Sequence, residues 1–300
     1  MKPISDDIDF LKFTGLQESQ FIEPTTTFIK EVKNRFANGA ELRGERLPWH
    51  KTHDKVRLRP GEVSIWAGVN GHGKSLVLGQ VLLFLPPTTK ILIASLEMQP
   101  AATIERMVKQ ALGAPNPTEQ FIDEFADLTD NMFIYDQTDT VHPNRILGMI
   151  HYAAQELGIQ QIMVDSLVKC GIAPDDYSKQ KEFVDRLCWA AKSENIHIHL
   201  VHHMRKGNKE GDVPDKFDVK GAGEITDLVD NVFIVHRNKN KEQKIEAGKS
   251  VDKLDPDGSV SVAKQRHGEW EGKINLWFHK PSTQYISGPD SMPLRWREID

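Results

Sequence analysis

Residues 68–75 read GVNGHGKS, and this stretch is the strongest indication of the fold of this chain. It matches Gly-x-x-x-x-Gly-Lys-Ser, the phosphate-binding loop, in which glycines let the backbone turn its N–H groups toward phosphate oxygens. Lys74 is placed to reach the β- and γ-phosphates of a nucleotide, and the Ser75 hydroxyl is placed to ligate Mg²⁺. We therefore assign the whole stretch to nucleotide binding: Gly68, Val69, Asn70, Gly71, His72, Gly73, Lys74 and Ser75.

The residues on both sides of the loop support this interpretation. The apolar run EVSIWA, residues 62–67, predicts a buried strand that enters the loop, and residues 76–85 predict an apolar helix that leaves it. The N-terminus of such a helix carries a partial positive charge and free N–H groups that favour phosphate. A chance match is the alternative, because the pattern itself constrains few positions, but the strand and the helix on the correct sides argue against it.

The composition is that of an ordinary globular protein and excludes several classes. The chain has 300 residues, 39% of them hydrophobic and 27% charged, which is enough apolar material for a sizeable core. Its net charge of −5 gives no bulk attraction to nucleic acid, so any such contact needs a local basic patch. The two cysteines, Cys170 and Cys188, lack metal-site spacing and indicate buried thiols. With no apolar run as long as a membrane span and no signal-peptide core, we expect a cytoplasmic protein without a membrane partner.

Downstream of the loop, short apolar runs alternate with helical stretches. This rhythm predicts an α/β fold with a mostly parallel twisted sheet and helices on both faces. The predicted strands are 91–96, 132–135, 161–164, 196–202 and 231–236, followed by a strand pair at 259–264 and 273–279. The predicted helices are 101–112, 144–157 and 179–194, and residues 238–253 are predicted to be a solvated excursion.

We divide the chain into an N-terminal extension, residues 1–47, and a main domain, residues 48–300. The extension contains no convincing strand. Its one clear element is a helix over 25–38, where apolar residues recur at helical spacing, at Phe28, Ile29, Val32 and Phe36. This amphipathic helix either packs on its own domain or docks onto a neighbouring subunit.

Two carboxylates follow predicted buried strands. Asp165 closes the strand that begins at residue 161, and Glu97 follows the strand 91–96, so both lie at the sheet edge where ligands bind. We expect Asp165 to coordinate Mg²⁺ and Glu97 to orient the attacking water, since nucleotide hydrolysis needs both functions. The alternatives are a loop or N-cap acid at Asp165 and a helix N-terminal acid at Glu97, the latter equally compatible with the sequence.

Histidines end the strand that begins at residue 196. His202 and His203 lie at its carboxyl end, where a polar group can contact the γ-phosphate and sense its loss. With His197 and His199 they raise the question of a metal site. Those two share one strand face, no cysteine joins them and further ligands are needed, so we predict no metal site there.

Basic residues gather in two further places. The segment 204–223 carries five Lys or Arg residues and several glycines, which suits a flexible loop on the phosphates of a nucleic-acid strand. Its four acids make a merely solvated loop an equally good interpretation. Arg266 follows a predicted strand and is placed to act as a finger in a neighbour's nucleotide site, although a surface arginine is the simpler interpretation.

These motifs, in this order, resemble the RecA-like motor domain of hexameric replicative DNA helicases of the DnaB/Twinkle type, in particular the shorter phage and plasmid members. The resemblance covers residues 48–286. Its segments are RPGEVSIWAGVNGHGKS (59–75), ILIASLEM (91–98), QIMVDSL (161–167), HLVHHMRKG (199–207), DVKGAGEITDLVDNVFIVHRN (218–238) and VAKQRHGEWEG (262–272). The Ser-Leu-Glu-Met and Gly-Ala-Gly segments are far more specific than the phosphate loop.

The resemblance implies catalytic roles for several residues. Glu97 becomes the catalytic carboxylate beside Lys74 and Asp165. His203 takes the γ-phosphate sensor position, which is His in phage primase-helicases and commonly Gln in DnaB-like members. Arg266 matches the arginine finger.

Further residues match the nucleotide-binding and DNA-binding positions of the family. Lys264 is the basic partner of the finger, and Arg237 and Tyr285 match residues that sandwich the nucleotide base. The residues that match the segments in contact with the DNA backbone are Arg205, Lys206, Lys209, Lys220, Gly221 and Gly223. The helix at 25–38 matches the linker helix that family members lay on the adjacent subunit.

The resemblance implies a homohexameric ring that uses ATP, or another NTP or dNTP, with Mg²⁺. It would pull single-stranded DNA through a central pore and unwind duplex with 5′→3′ movement. Family members usually carry a primase or scaffold domain before the linker, whereas 47 residues precede the main domain here. We therefore expect either a minimal helicase, with a primase or other replisome proteins as separate partners, or a fragment, in a bacterial host cytoplasm if a phage or plasmid encodes it.

Two other functions are compatible with the fold. A RecA/RadA-like recombinase forms filaments and exchanges strands, but the Ser-Leu-Glu-Met and Lys-Gly-Ala-Gly segments argue against it. A non-hydrolysing, helicase-loader-like interaction module would bind nucleotide without turnover. The intact set of Glu97, Asp165 and Arg266 argues against that function.

Overall fold

In the residues that the structure describes, a ten-stranded sheet forms the centre of the fold. The computed structural model describes residues 2–3, 24–38, 43–204 and 222–297. The strands are β1 (Lys2–Pro3), β2 (Glu45–Arg46), β3 (Arg57–Leu58), β4 (Val63–Gly68), β5 (Ile91–Ser95), β6 (Met132–Ile134), β7 (Gln161–Asp165), β8 (His197–His203), β9 (Asn231–Arg237), β10 (Gly258–Gln265), β11 (Gly272–His279) and β12 (Gln284–Ile286). The α-helices in the same residues are α1 (Ile29–Asn38), α2 (Lys74–Leu83), α3 (Pro100–Leu112), α4 (Glu119–Leu128), α5 (Pro143–Leu157), α6 (Tyr177–Ser193), α7 (Ala222–Leu228) and α8 (Lys239–Glu246).

The sheet is parallel on one side and antiparallel on the other. Its strand order is β1-β6-β5-β7-β8-β4-β9-β10-β11-β12, and the neighbouring pairs from β1 to β9 are parallel. The pairs from β9 to β12 are antiparallel. The strand β4, which leads into the phosphate loop, lies between β8 and β9 and is buried along its whole length. Both of its faces are covered, which is why its sequence is a nearly continuous apolar run.

Helices cover both faces of the sheet, which confirms the predicted layers. Side chains alternate between the two faces along a strand. Ile65 and Ala67 therefore belong to a core that α5, α6 and α7 complete, while Trp66 belongs to the opposite core with α2, α3 and α4. The helices α3 and α5 are each followed directly by a glycine, Gly113 and Gly158, whose φ angles of 72° and 67° suit glycine after a helix C-terminus.

Several elements differ from the sequence-based predictions. We expected no strand in residues 1–47, but β1 and β2 lie there; each has two residues, too few to show an alternating pattern. Two further elements, β12 and α4, were not predicted from the sequence. The first turn of α4 is capped by the Thr118 hydroxyl, which accepts from the Phe121 N–H. The expected solvated excursion contains α8, on which the buried Lys241 forms an ion pair of 2.8 Å with Asp257.

The N-terminal part of the described chain has two different surroundings. The strand β2 pairs with β3, and Leu47 is fully buried, so the chain has joined the main domain before residue 48. The predicted helix forms as a 3-10 turn, Thr25–Phe28, followed by α1. Its large apolar side chains are exposed, namely Phe28, Ile29, Val32 and Phe36. Docking of this helix onto a neighbouring subunit stays a prediction. Within the described ranges, no helix is long and apolar enough to cross a membrane.

Candidate functional site

The phosphate loop joins the end of β4 to the start of α2. Gly71 and Gly73 have φ angles of 79° and 81°, in the left-handed region that glycine adopts without strain. At Gly68 the backbone passes so close to β9 that a Cβ atom would lie 2.5 Å from the carbonyl oxygen of Val235. The loop therefore needs glycine both for its turns and for its close packing.

Lys74 is folded back onto its own loop. Its Nζ donates to the carbonyl oxygens of Gly68 and Val69, at 3.1 and 3.2 Å. Burial lowers the pKa of Lys74, and the nearby negative charges of Asp165 and Glu97 act in the opposite direction. The ammonium group is thus mostly removed from water, and both predicted acids lie within its electrostatic reach.

Asp165 ends β7 beside the loop. Its side chain is 2% exposed, and burial raises its pKa, while a hydrogen bond from the Ser75 hydroxyl lowers it. The carbonyl oxygen of Asp165 accepts from the N–H of Leu96 at 2.7 Å, which fixes the chain as it leaves β5 toward Glu97. The parallel pairing of β5 and β7 therefore brings the two predicted carboxylates to the same sheet edge.

Glu97 contacts two polar side chains from neighbouring strands. The hydroxyl of Ser166 donates to Oε1 at 2.5 Å, and Nε2 of His203 lies 3.5 Å from the same oxygen. The hydrogen bond from His203 and that from Ser166 hold the pKa of Glu97 at about 2 against the opposing effect of burial, with His203 the largest cause. Sequence analysis did not select Ser166; the available signal was its position directly after Asp165, at the end of a buried parallel strand.

His72, a variable position of the loop, binds the neighbouring strand. Its Nδ1 accepts from the N–H of Arg237 at 3.3 Å, and its ring lies edge-on to His236 with 5.3 Å between centroids. Burial, followed by the nearby positive charges, lowers the pKa of His72 to about 4, so the imidazole is neutral. His72 thereby ties the tip of the loop to the end of β9.

Arg237 and Tyr285, the two residues predicted to hold the base, lie close to the loop. The guanidinium of Arg237 forms an ion pair with Glu242 on α8. The Tyr285 ring is 4% exposed and packs against Phe278, and a Cβ atom on Gly73 would lie 3.4 Å from its hydroxyl. Their contact with a base stays a prediction.

The backbone of Tyr285 is clamped by two side chains that sequence analysis did not select. Gln80 on α2 accepts from the Tyr285 N–H at 2.7 Å and donates to its carbonyl oxygen at 2.9 Å. The indole N–H of Trp49 donates to the same carbonyl oxygen at 2.7 Å. These contacts join β12 to the helix of the phosphate loop. The position of Gln80, a single amide side chain among the apolar residues of α2, is the feature of the sequence that indicates a buried hydrogen-bond partner.

Arg266 lies at the other end of β9 from the loop. Its backbone N–H donates to the carbonyl oxygen of Asp230, next to the first residue of β9, whereas His72 contacts Arg237 at the last residue. At about 3.3 Å per residue, the strand separates these two ends by about 20 Å. Within one chain, Arg266 therefore does not reach the phosphate loop.

The cations of this second region bind the end of a helix. The guanidinium of Arg266 donates to the carbonyl oxygens of Asp227 and Leu228, at 3.0 and 3.1 Å, and lies 3.4 Å from the Asp230 carboxylate. Lys264 donates to the carbonyl oxygens of Thr226 and Asp227, at 2.8 and 3.1 Å. Both residues thus cap the C-terminus of α7, where positive charge is favoured.

Most of the predicted DNA-binding residues lie outside the described residues: Arg205, Lys206, Lys209, Lys220 and Gly221. Gly223 is described and is exposed in the first turn of α7. The described ends of this segment are informative. The N–H of Met204, just before it, donates to the carbonyl oxygen of Gly68 at 3.2 Å, and α7, just after it, is capped by Arg266. One end of the segment therefore contacts the phosphate loop and the other contacts the predicted finger.

The first two histidines of β8 are fully occupied by structural hydrogen bonds. His197 donates from Nδ1 to the carbonyl oxygen of Arg59, so its Nε2 accepts from the Ser64 hydroxyl, each at 2.7 Å. His199 accepts from Trp66 through Nδ1 and donates through Nε2 to Gln161. No group of three or more possible His, Cys, Asp or Glu metal ligands occurs in the part of the chain that the structure describes.

Comparison with known proteins identifies the domain. The model of the DnaB-like helicase C terminal domain matches residues 54–287. The chain is also 25% identical, over 207 residues, to the DNA helicase/primase of Enterobacteria phage T3. This match covers 60% of this chain and 36% of the phage protein. The chain thus spans about a third of the length of this relative.

Two solved structures share the fold. One is a separate ATPase domain, which superposes with a TM-score of 0.73 at 14% identity, covering 88% of this chain and 98% of that one. The other is a DnaB-like replicative helicase, studied with its interactions with primase, which superposes with a TM-score of 0.70 at 15% identity, covering 88% of this chain and 67% of that one. These findings confirm the resemblance and the α/β fold predicted from the sequence.

Proposed function

Because the chain belongs to the family of DnaB-like helicase C-terminal domains, we propose that it is the motor of a replicative helicase, which hydrolyses NTP and moves along single-stranded DNA. One observation carries the proposal: Lys74, Asp165 and Glu97 are gathered at the sheet edge that holds the phosphate loop. A module that only binds nucleotide does not need the second, oriented carboxylate.

The residues at the loop suit a hard divalent cation. The Ser75 hydroxyl and the Asp165 carboxylate are hydrogen-bonded to each other, and oxygen ligands of this kind are the ones Mg²⁺ prefers. When bound, Mg²⁺ would neutralise charge on the β- and γ-phosphate oxygens. We therefore assign Ser75 and Asp165 to the metal and the loop to ATP or another NTP.

Hydrolysis needs a group that orients water and a group that neutralises charge. Glu97, ionised and held by Ser166 and His203, would accept a hydrogen bond from the attacking water. Lys74 would exchange its two carbonyl contacts for the β- and γ-phosphates. His203, beside Glu97, would respond to loss of the γ-phosphate.

The separation between Arg266 and the loop supports a composite site. Since about 20 Å of β9 lies between them, Arg266 and Lys264 would act on the nucleotide of an adjacent subunit, as expected for subunits arranged in a ring. The exposed apolar face of α1 is consistent with a linker helix that docks onto the next subunit. The hexamer and this docking are part of the proposal.

Arg237 and Tyr285 would hold the nucleotide base. Both lie at the loop, since the Arg237 N–H contacts His72 and the Tyr285 hydroxyl lies beside Gly73. The Tyr285 ring is buried, so contact between its face and a base requires the ring to turn outward.

The segment between Met204 and Gly223 would grip the DNA backbone. We assign the contacts to Arg205, Lys206, Lys209, Lys220, Gly221 and Gly223. Contacts with phosphates carry no base information, so binding should be independent of sequence and sensitive to salt. By the same family resemblance we propose 5′→3′ movement, a primase or other replisome proteins as partners, and a cytoplasmic location.

A hydrolysis assay tests this function most directly. The protein is incubated with each NTP and Mg²⁺, with and without single-stranded DNA, and then with forked duplexes that carry opposite tails. We expect stimulated hydrolysis and unwinding of the fork with a 5′ tail. No hydrolysis under either condition would favour the non-motor interaction module.

Electron microscopy separates the motor from its closest rival within the fold. We expect rings in the presence of nucleotide and DNA. Filaments on DNA, together with strand exchange, would assign the protein to the RecA/RadA-like recombinases instead.

A further inference from the structure

Ser166 lies between the two side chains proposed to act at the γ-phosphate. Its Oγ is 2.5 Å from Oε1 of Glu97 and 3.4 Å from Nε2 of His203. The three side chains come from the ends of three adjacent strands, in the order β5, β7 and β8. Ser166 belongs to neither the phosphate loop nor the proposed metal ligands.

The direction of the hydrogen bonds follows from the chemistry of the groups. An ionised carboxylate only accepts, so the single proton of the Ser166 hydroxyl is donated to Glu97. The low pKa of Glu97, about 2, agrees with a carboxylate that receives this bond. A lone pair of the same hydroxyl then faces His203.

Burial protects the hydrogen bond from Ser166 to Oε1 of Glu97 from competition by water. Ser166 is 0% exposed, so no solvent competes for its proton, whereas the side chain of Glu97 is 39% exposed. Both contacts from described residues go to Oε1. The other carboxylate oxygen, Oε2, receives no hydrogen bond from the described ranges and is left for another donor.

We propose that Ser166 is a positioning residue for hydrolysis: it anchors Oε1 of Glu97 and thereby leaves Oε2 directed to the attacking water. The inference rests on the proposed function, in which Glu97 is the catalytic carboxylate. Ser166 itself does not contact the reacting atoms. It removes rotational freedom from a half-exposed glutamate and links that glutamate to His203.

The structural contacts of Ser166 are made by its backbone, so they can be separated from its side chain. Its carbonyl oxygen accepts from the N–H of Lys169 at 2.9 Å and from the Cys170 thiol at 3.5 Å. Ser166→Ala keeps both contacts and removes only the hydroxyl. Ser95→Ala is a matched control, because Ser95 is buried at the end of β5 and is the strand partner of Asp165.

The test measures kcat, KM and the affinity for a fluorescent nucleotide in the full chain with single-stranded DNA. Removing a residue that orients a metal ligand typically costs about 10- to 100-fold in affinity or activity, and we take the same scale for a residue that orients a catalytic carboxylate. We expect that loss in kcat for Ser166→Ala, with KM and nucleotide affinity within twofold of the wild type. Ser95→Ala should retain the wild-type kcat.

A double-mutant cycle decides whether the hydroxyl acts through Glu97. We expect Glu97→Gln to reduce kcat strongly and Ser166→Ala to cause no further loss in that variant, measured at a protein concentration that keeps the residual turnover of Glu97→Gln above background. An unchanged kcat in Ser166→Ala, or a loss of nucleotide binding along with kcat, would overturn the inference. Normal turnover by Glu97→Gln, or an inactive wild type, would instead overturn the proposed function on which it rests.

Discussion

The two ends of β9 hold their charged groups in opposite ways. At the carboxyl end, Lys74 binds carbonyl groups of the phosphate loop, Asp165 accepts from the Ser75 hydroxyl, and Glu97 accepts from the Ser166 hydroxyl. At the amino end, Arg266 and Lys264 are bound to the last carbonyl groups of α7 in their own chain.

The proposed site has two halves: a loop half, with the phosphate loop, Asp165 and Glu97, and a finger half, with Arg266 and Lys264. The difference between them indicates which half is preorganised before two subunits associate. The loop half needs only to exchange internal hydrogen bonds, such as those of Lys74, for phosphate oxygens. In the proposed composite site, Arg266 and Lys264 would first have to leave the carbonyl groups of α7, where positive charge is favoured, and Arg266 would also have to leave the Asp230 carboxylate. Such a site would respond to assembly as well as to nucleotide.

The largest expected effect comes from removing the cation of the loop half. Lys74→Ala should reduce hydrolysis to background and weaken nucleotide binding, since the loop would lose the ammonium group that is proposed to contact the β- and γ-phosphates. Turnover and fluorescent-nucleotide affinity measure the two effects. Lys249→Ala, at an exposed position, is the control. Retained turnover in Lys74→Ala would remove the loop from catalysis.

A substitution in the finger half should reduce hydrolysis without reducing nucleotide binding. Arg266→Ala is expected to lose hydrolysis by about 1,000-fold, the scale typical of an arginine finger, while the same chain still binds nucleotide. Normal turnover by this variant would show that Arg266 is not the arginine finger.

Mixing the two inactive variants tests whether the halves meet between chains. An Arg266→Ala subunit still has an intact loop, and a Lys74→Ala subunit still has an intact finger. We expect a mixture of the two to regain part of the wild-type turnover, whereas each alone stays inactive. A mixture as inactive as its components would argue for a site within one chain.

A buried imidazole, that of His197, lies at the same edge of the sheet as Arg266. Because its pKa is lowered on folding, the free energy of unfolding should depend on pH. The pKa of His197 is lowered by burial to about 4 in the folded state, against about 6.5 in an unfolded chain. Below pH 6.5 the unfolded state therefore binds more protons, so this contribution to stability is present above pH 6.5 and is lost as the pH falls toward 4. Its full size is on the order of 3 kcal/mol.

Urea unfolding between pH 7.5 and pH 4.5 measures this contribution. We expect the free energy of unfolding of His197→Gln to fall less steeply with decreasing pH than that of the wild type, whatever its stability at pH 7.5. His50→Gln, at an exposed position, is the control. Parallel pH profiles for His197→Gln and the wild type would show that His197 is not the group that titrates.

The smallest expected effect concerns the contacts that the finger half must give up. A cation at a helix C-terminus contributes about 0.3–1 kcal/mol. Without nucleotide, Arg266→Ala and Lys264→Ala should each speed amide hydrogen exchange in residues 223–229 by about two- to fivefold. Exchange in α5 should stay unchanged. Equal exchange in the wild type and both variants would mean that the two cations do not stabilise α7.

Much of the fold and part of the site follow from local sequence. The apolar run of β4, the glycines of the loop and the alternation downstream predicted the parallel sheet, because both faces of each central strand are covered. Asp165 and Glu97 were predicted to lie at one sheet edge because Asp165 ends such a strand and Glu97 follows another, and the pairing of β5 with β7 agrees; their catalytic roles stay predictions. The strands β1 and β2 were missed because a two-residue strand is defined by its partner and not by its own pattern.

The loop motif, the strands that end at it and the family of the chain can thus be recognised in the amino-acid sequence. Three contacts appear only in the folded chain: Ser166 with Glu97, His72 with Arg237, and Gln80 with Tyr285. They are hydrogen bonds between residues distant in sequence, whose directions are set when strands pair and helices pack. The position of Arg266, a strand's length from the loop, likewise depends on how β10 pairs with β9.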